Sequence, residues 1–251
     1  MVKKWDVTIP GLSGNRTRKA YIYLPDYYDE DELRRYPVLY MFDGHNVFFD
    51  ADSAFGKSWN MTSYLLWTRK PLIVVAVECN KKGNNRLKEY SPTSFEDHKY
   101  GRIRGRGRAY MEWLVNELKP FIDENYRTLP DREHTIIAGS SMGGLMSLYA
   151  ATVYNHVFSR AACLSPSLWT NPERLLKMVE KADVGEDTCI YMDYGSEEMG
   201  NHPANKDALM AMSQLLIEKN VNLAFRIIPN GNHSEGSWEK QIPIFMDCLG
   251  L

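Results

Sequence analysis

Between residues 135 and 151 the chain passes from a short apolar run, Thr135-Ile136-Ile137-Ala138, through Gly139-Ser140-Ser141-Met142-Gly143 into a helix-like stretch from 145 to 151. A G-x-S-x-G sequence between strand and helix constrains the fold more tightly than any other part of the chain. The sharp turn sets its central residue proud of a sheet and needs small neighbours so that backbone can pass closely. Ser141 is therefore a candidate nucleophile. Gly144 extends the small-residue run, and Met142 begins a helix whose free N–H groups can stabilise a developing oxyanion. Ser140 competes only if the turn is shifted, and it would then lack the same glycine framing.

Alternation of strand and helix extends well beyond this turn. Strand-like runs occupy residues 5–9, 19–24, 38–42, 72–77, 135–138, 160–164, 189–194 and 224–228. Amphipathic stretches fall at 110–126, 142–154, 172–182 and 203–220, with 238–248 closing the chain; their apolar residues recur every three or four positions. Such alternation implies an α/β fold with a mostly parallel sheet covered by helices on both faces. The first strands have no helix between them, so they should pair antiparallel at one edge. No internal repeat, linker or composition break divides residues 1–251, which predicts one domain. Ligands bind outside the carboxyl ends of strands in such sheets, and Ser141 follows one of those ends.

Composition excludes more than it identifies. The 251 residues carry a formal charge of -2, so no global electrostatic argument favours nucleic acid or an anionic membrane. The N-terminal Met1-Val2-Lys3-Lys4-Trp5-Asp6 lacks an apolar segment after its lysines, and no run reaches spanning length, which predicts a cytoplasmic location. Cys79, Cys163, Cys189 and Cys248 lack metal-type spacing and are expected as buried free thiols, with Cys79 following a strand that ends near the site.

A serine hydroxyl needs a histidine base and usually a carboxylate to orient that base. Among six histidines only His233 follows a late strand in a polar turn, Asn230 to Glu235, ahead of a C-terminal helix. That matches the serine, acid, histidine order of an elbow nucleophile. His98, His134, His156 and His202 read as surface or capping residues. The acid should come from the segment between, where Asp193, Glu197 and Glu198 compete. Asp193 lies on the strand, whereas Glu197 and Glu198 lie past Gly195, where a loop can reach the histidine. The oxyanion hole takes one N–H from Met142. Its second donor is the His45 or Asn46 amide in the loop Asp43-Gly44-His45-Asn46, where Gly44 permits close approach.

The chain resembles the esterase D-like, or putative esterase, family of α/β-hydrolases. The matching residues are Tyr36 to Met41 with Asp43, Gly44 and Asn46, then Arg86, Glu89 and Tyr90, Gly139 to Gly144, Ser165-Pro166-Ser167, Gly195 with Glu198, and Gly231-Asn232-His233 with Trp238. The resemblance implies the α/β-hydrolase fold and makes Glu198, three residues after a glycine at a strand end, the triad acid. It holds feruloyl, acetyl-xylan and siderophore esterases and implies a small-molecule ester substrate. His45 stands where relatives often have glutamine, and the arginine and glycine run from 101 to 108 replaces small and acidic residues.

The expected reaction is acyl transfer through Ser141, with no metal or organic cofactor; Asp43, Asp50 and Asp52 do not fit a calcium loop. Gly44, Arg86 and Trp169 are assigned to substrate binding. Phe48, Phe49, Trp59 and Trp67 are further aromatic candidates for the pocket. Short acyl or hydroxycinnamoyl esters of carbohydrates lead, ahead of siderophore trilactones. A non-catalytic binding module and an acyltransferase are the alternatives on the same scaffold. The 101–108 run reads as an active-site flap whose Arg104 and Arg106 favour anionic substrates. Oligomeric state is not legible.

Overall fold

A computed structural model describes residues 1–200 and 203–251. Ten strands occur among them: β1 (Val2–Thr8), β2 (Thr17–Tyr23), β3 (Val38–Met41), β4 (Ile73–Val77), β5 (Phe95–Asp97), β6 (Gly101–Ile103), β7 (Thr135–Ser140), β8 (Arg160–Leu164), β9 (Cys189–Gly195) and β10 (Asn222–Ile228). Eight form one sheet in the order β1-β2-β4-β3-β7-β8-β9-β10. The pairs β1/β2 and β2/β4 are antiparallel, and every later pair is parallel. This is the mixed sheet expected, since only the single turn Pro10–Ser13 separates the first two strands.

β3, β4 and β7 are buried along their whole length, as runs of Val, Ile, Leu and Ala covered on both faces must be. One core cluster includes Tyr40, Val75, Ile137 and Met192; the other, on the opposite face, includes Leu39, Val74, Ile136 and Tyr191. Alternate residues of the same strands thus feed opposite layers.

The helices are α1 (Pro10–Ser13), α2 (Met61–Thr68), α3 (Asn85–Glu89), α4 (Gly107–Trp113), α5 (Lys119–Asn125), α6 (Met142–Val153), α7 (Pro172–Lys181), α8 (Pro203–Glu218), α9 (Glu235–Glu239) and α10 (Ile242–Cys248). α6 is buried around nearly its whole circumference, which makes it the central helix. No described helix is long and apolar enough to cross a membrane.

Three local differences from the sequence reading have identifiable causes. The helix expected from 110 to 126 is α4 and α5 joined by a π-helical turn, Leu114–Leu118, just before Pro120, whose ring nitrogen has no proton for the regular ladder. The closing helix is split into α9 and α10, with Pro243 in the first turn of the second piece. The segment read as a flap instead contains β6, paired with β5 through Phe95 and Ile103, which are both buried.

Candidate active site

Ser141 sits at φ 59° and ψ -122°, a conformation that costs a non-glycine residue about 1–3 kcal/mol. Crowding around the elbow holds it there. Its N–H donates to the Leu164 carbonyl at 2.9 Å, and its own carbonyl accepts from Ser167 N–H at 3.1 Å and Leu145 N–H at 3.0 Å. A Cβ on Gly139 would come within 2.7 Å of the Gly143 backbone, so strand and helix can meet this closely only with glycine there. The Ser141 hydroxyl lies 3.4 Å from Ser167 Oγ.

The acid and the histidine arrive on neighbouring strand ends, β9 and β10. Glu198 is 2% exposed, and its Oε2 meets His233 Nδ1 at 2.5 Å. Its Oε1 accepts from Gly195 N–H at 3.0 Å and from Ser165 Oγ at 2.7 Å. Ser165 Oγ in turn accepts from Trp238 Nε1 at 3.0 Å, while the Trp238 ring stands edge-on to His233 with centroids 4.9 Å apart. With Nδ1 engaged, the Nε2 side of His233 is left for the cavities it shares with Ser141. The Glu198 turn and the histidine loop touch directly: Glu197 N–H donates to Gly231 O at 2.9 Å, and a Cβ on Gly195 would overlap that carbonyl.

The two competing carboxylates are elsewhere. Glu197 is exposed. Asp193 is buried and pinned between Tyr191 OH at 2.9 Å and Ser165 N–H at 3.1 Å, and burial pushes its carboxyl up to about 7. Its place on the strand, within β9, keeps it in the packed interior.

On the other side of β7, Asp43 adopts a left-handed conformation (φ 55°) and opens the turn that carries His45 and Asn46. The Asn46 amide closes this turn on the Asp43 carbonyl at 2.7 Å, whereas the His45 amide has no such partner among the described residues. Gly44 packs against the backbone of Ala76 and Val77 and lines neither cavity at Ser141. The His45 ring is 3% exposed with no hydrogen-bond partner for Nδ1, and burial lowers its pKa, disfavouring the charged form.

Arg86 holds both oxygens of Asp43, with Nε to Oδ1 at 2.8 Å and Nη2 to Oδ2 at 2.7 Å. Burial works against the Asp43 charge, but the guanidinium outweighs it and the carboxyl stays below its ordinary value. Ligand atoms of Asp43, His45 and Cys79 lie within 4.8 Å of one another, yet a guanidinium already occupying both carboxylate oxygens opposes a cation there. Burial also pushes the Cys79 thiol well up. Cys163 is buried too, while Cys189 and Cys248 are half-buried; all four are free.

Two cavities meet at Ser141. The smaller, about 230 Å³, has Leu87, Trp169, Tyr194 and Asn205 in its wall. The larger, about 630 Å³, lies between the His45 loop and the turn from His233 to Trp238. Among the described residues only Ser141, Arg86 and His233 line both. Among the aromatic candidates Trp169 alone reaches these cavities; Phe48 and Trp59 are core, Phe49 packs against the core, and Trp67 is 84% exposed. Arg104 and Arg106 line neither cavity, and Arg106 bonds the Gly11 carbonyl. His202 lies outside the described residues. Tyr194, Asn205 and Glu235 were missed by sequence reading; the Ser165-Pro166-Ser167 match was the one signal for the Ser165 contact.

A family model described as "Putative esterase" matches residues 12–244. The chain belongs to that family. It is a carboxylic ester hydrolase with the α/β-hydrolase fold. Uncharacterized protein YbbA of Bacillus subtilis is 28% identical over 195 residues, covering 74% of this chain and 70% of YbbA. An IroE-like serine hydrolase from Shewanella oneidensis superposes with a TM-score of 0.74 at 22% identity, over 99% of this chain and 78% of that one. A ferulic acid esterase gives 0.68 at 18% identity, over 99% and 98%. At these identities the superpositions speak to the fold.

Proposed function

We propose that this esterase works through an acyl-enzyme on Ser141, with His233 as general base and Glu198 orienting it. The observation that carries the reading is the 2.5 Å pairing of His233 Nδ1 with a buried carboxylate, on a ring that lines the same cavities as the elbow serine. His233 takes the Ser141 proton as the hydroxyl attacks the ester carbonyl, then returns a proton to the departing alkoxide; water repeats the sequence to release the acid. The amides of Met142 and His45 receive the oxyanion, the Asn46 amide being engaged by its own turn.

The acyl group occupies the smaller cavity. Its volume is below the roughly 300–1,000 Å³ of drug-sized sites, and Trp169 and Tyr194 offer flat apolar faces, which favours a short acyl or a hydroxycinnamoyl group. The larger cavity suits a carbohydrate alcohol. Hydrolysis of p-nitrophenyl acetate, p-nitrophenyl butyrate and methyl ferulate by wild type and Ser141→Ala, with mass spectrometry after an organophosphate probe, tests the reading. Activity and adduct should both require Ser141; an active, labelled Ser141→Ala protein would overturn it.

A further inference from the structure

Glu235 is a buried carboxylate that the proposed mechanism does not use. It is 7% exposed, opens α9 two residues after His233, and lines the larger cavity. Asn46 Nδ2 donates to its Oε1 at 2.9 Å. The orientation of that amide is fixed, because Asn46 Oδ1 accepts from the Ala54 backbone N–H at 3.1 Å, and a backbone N–H can only donate. Asn46 therefore aims donors at Glu235, which acts as an acceptor.

No lysine or arginine pairs with Glu235 among the described residues, and burial raises its pKa above the ordinary value. An ionised carboxylate offers about four acceptor sites. The Asn46 donor and the residue's own backbone N–H leave part of that capacity open toward the cavity. A buried acceptor without its full set of donors is costly until a ligand supplies them.

The position of the cavity identifies the half of the substrate that enters it. His233 must protonate the leaving oxygen, so the alcohol departs along the histidine loop, and His233, Ser234, Glu235 and Trp238 of that loop all line the larger cavity. The smaller cavity lies beyond Met142, toward Ser167 and Trp169. Lys81 and Arg86 share the larger cavity with Glu235 and oppose a cationic alcohol.

Building on the acyl-enzyme reading above, we propose that Glu235 recognises the alcohol half of the substrate, accepting hydrogen bonds from a neutral polyhydroxylated alcohol such as a sugar or polyol. Esters sharing one acyl group test this: kcat/KM for glycerol monoacetate, ethyl acetate and acetylcholine, in wild type and Glu235→Gln. Wild type should prefer the glycerol ester over ethyl acetate by about tenfold, and Glu235→Gln should abolish most of that ratio. Equal use of the two esters, a ratio untouched by the substitution, or preference for acetylcholine would overturn the proposal while leaving the esterase reading intact. Loss of all three activities in wild type would overturn both. If Glu235→Gln does not fold, inhibition of wild type decides: glycerol must compete at least tenfold better than propan-1-ol, and equal inhibition refutes the assignment.

Discussion

Trp238 Nε1 donates to Ser165 Oγ at 3.0 Å, and that hydroxyl gives its own proton to Glu198 at 2.7 Å. The carboxylate facing His233 is thus oriented by a side chain on the neighbouring strand end, itself held by the helix that follows the histidine loop. Hydrogen bonds to a charged acceptor contribute about 1.5–3 kcal/mol. Ser165→Ala should lower kcat for p-nitrophenyl acetate about tenfold to a hundredfold with little change in KM, and Trp238→Phe should lose less. Steady-state kinetics of both variants check this; a Ser165→Ala enzyme with full kcat would show that Glu198 needs no such support.

Glu198 and Glu197 are adjacent in sequence and opposite in environment. Glu198→Gln preserves the size of the side chain but not the acceptor that fixes the histidine tautomer, a loss of about 10⁴-fold in kcat in comparable triads. Glu197→Gln, on an exposed side chain, should stay within about twofold. Parallel assays of the two variants distinguish them, and the reverse ranking would reassign the acid.

Gly195 is where the acid turn lies against the histidine loop. A methyl group there has no free space, because the Gly231 carbonyl fills it. Gly195→Ala should cost about 1–3 kcal/mol of stability from overpacking, together with a fall in activity as His233 is pushed from Glu198. Urea unfolding and kinetics on the same preparation would reveal both losses; a variant as active and stable as wild type contradicts the packing argument.

Asp193 has a pH signature. Burial raises its native carboxyl to about 7, against about 3.9 in an unfolded chain. Between those values the folded protein holds a proton that the unfolded chain releases, so stability falls as pH rises through the window, by up to roughly 4 kcal/mol. Asp193→Asn keeps an acceptor for Ser165 N–H and offers its amide N–H to the Tyr191 hydroxyl oxygen, but cannot ionise. Its stability relative to wild type should therefore grow from pH 4 to pH 7.5 in denaturant titrations, and a constant difference would show that Asp193 is not protonated in the fold.

The elbow was legible because its requirements are local: small residues at fixed spacing between a strand and a helix leave few other structures. His233 was singled out by its place after the last strand, and the antiparallel edge of the sheet by the lack of a crossover helix, α1 being a single turn. The Asp43–Arg86 pair was not, since it joins residues far apart in sequence through two turns, and Asp43 alone reads as turn chemistry. The β5/β6 hairpin was hidden by arginines and glycines that resemble a solvated loop, although Phe95 and Ile103 alone make its buried face. Glu235 was read only as the end of the polar turn from Asn230; the fixed Asn46 amide gives it a direction.

The cavities are divided by strand ends. Loops after β3, β4 and β10 wall the larger one, loops after β8 and β9 wall much of the smaller, and Ser141, Arg86 and His233 stand at the boundary. On the proposed division of acyl and alcohol groups between the cavities, insertions or substitutions on one side would reshape the surroundings of one half of the substrate while the other half keeps its own. A descendant of this chain would then have two dials for changing its diet, and neither requires touching Ser141, Glu198 or His233.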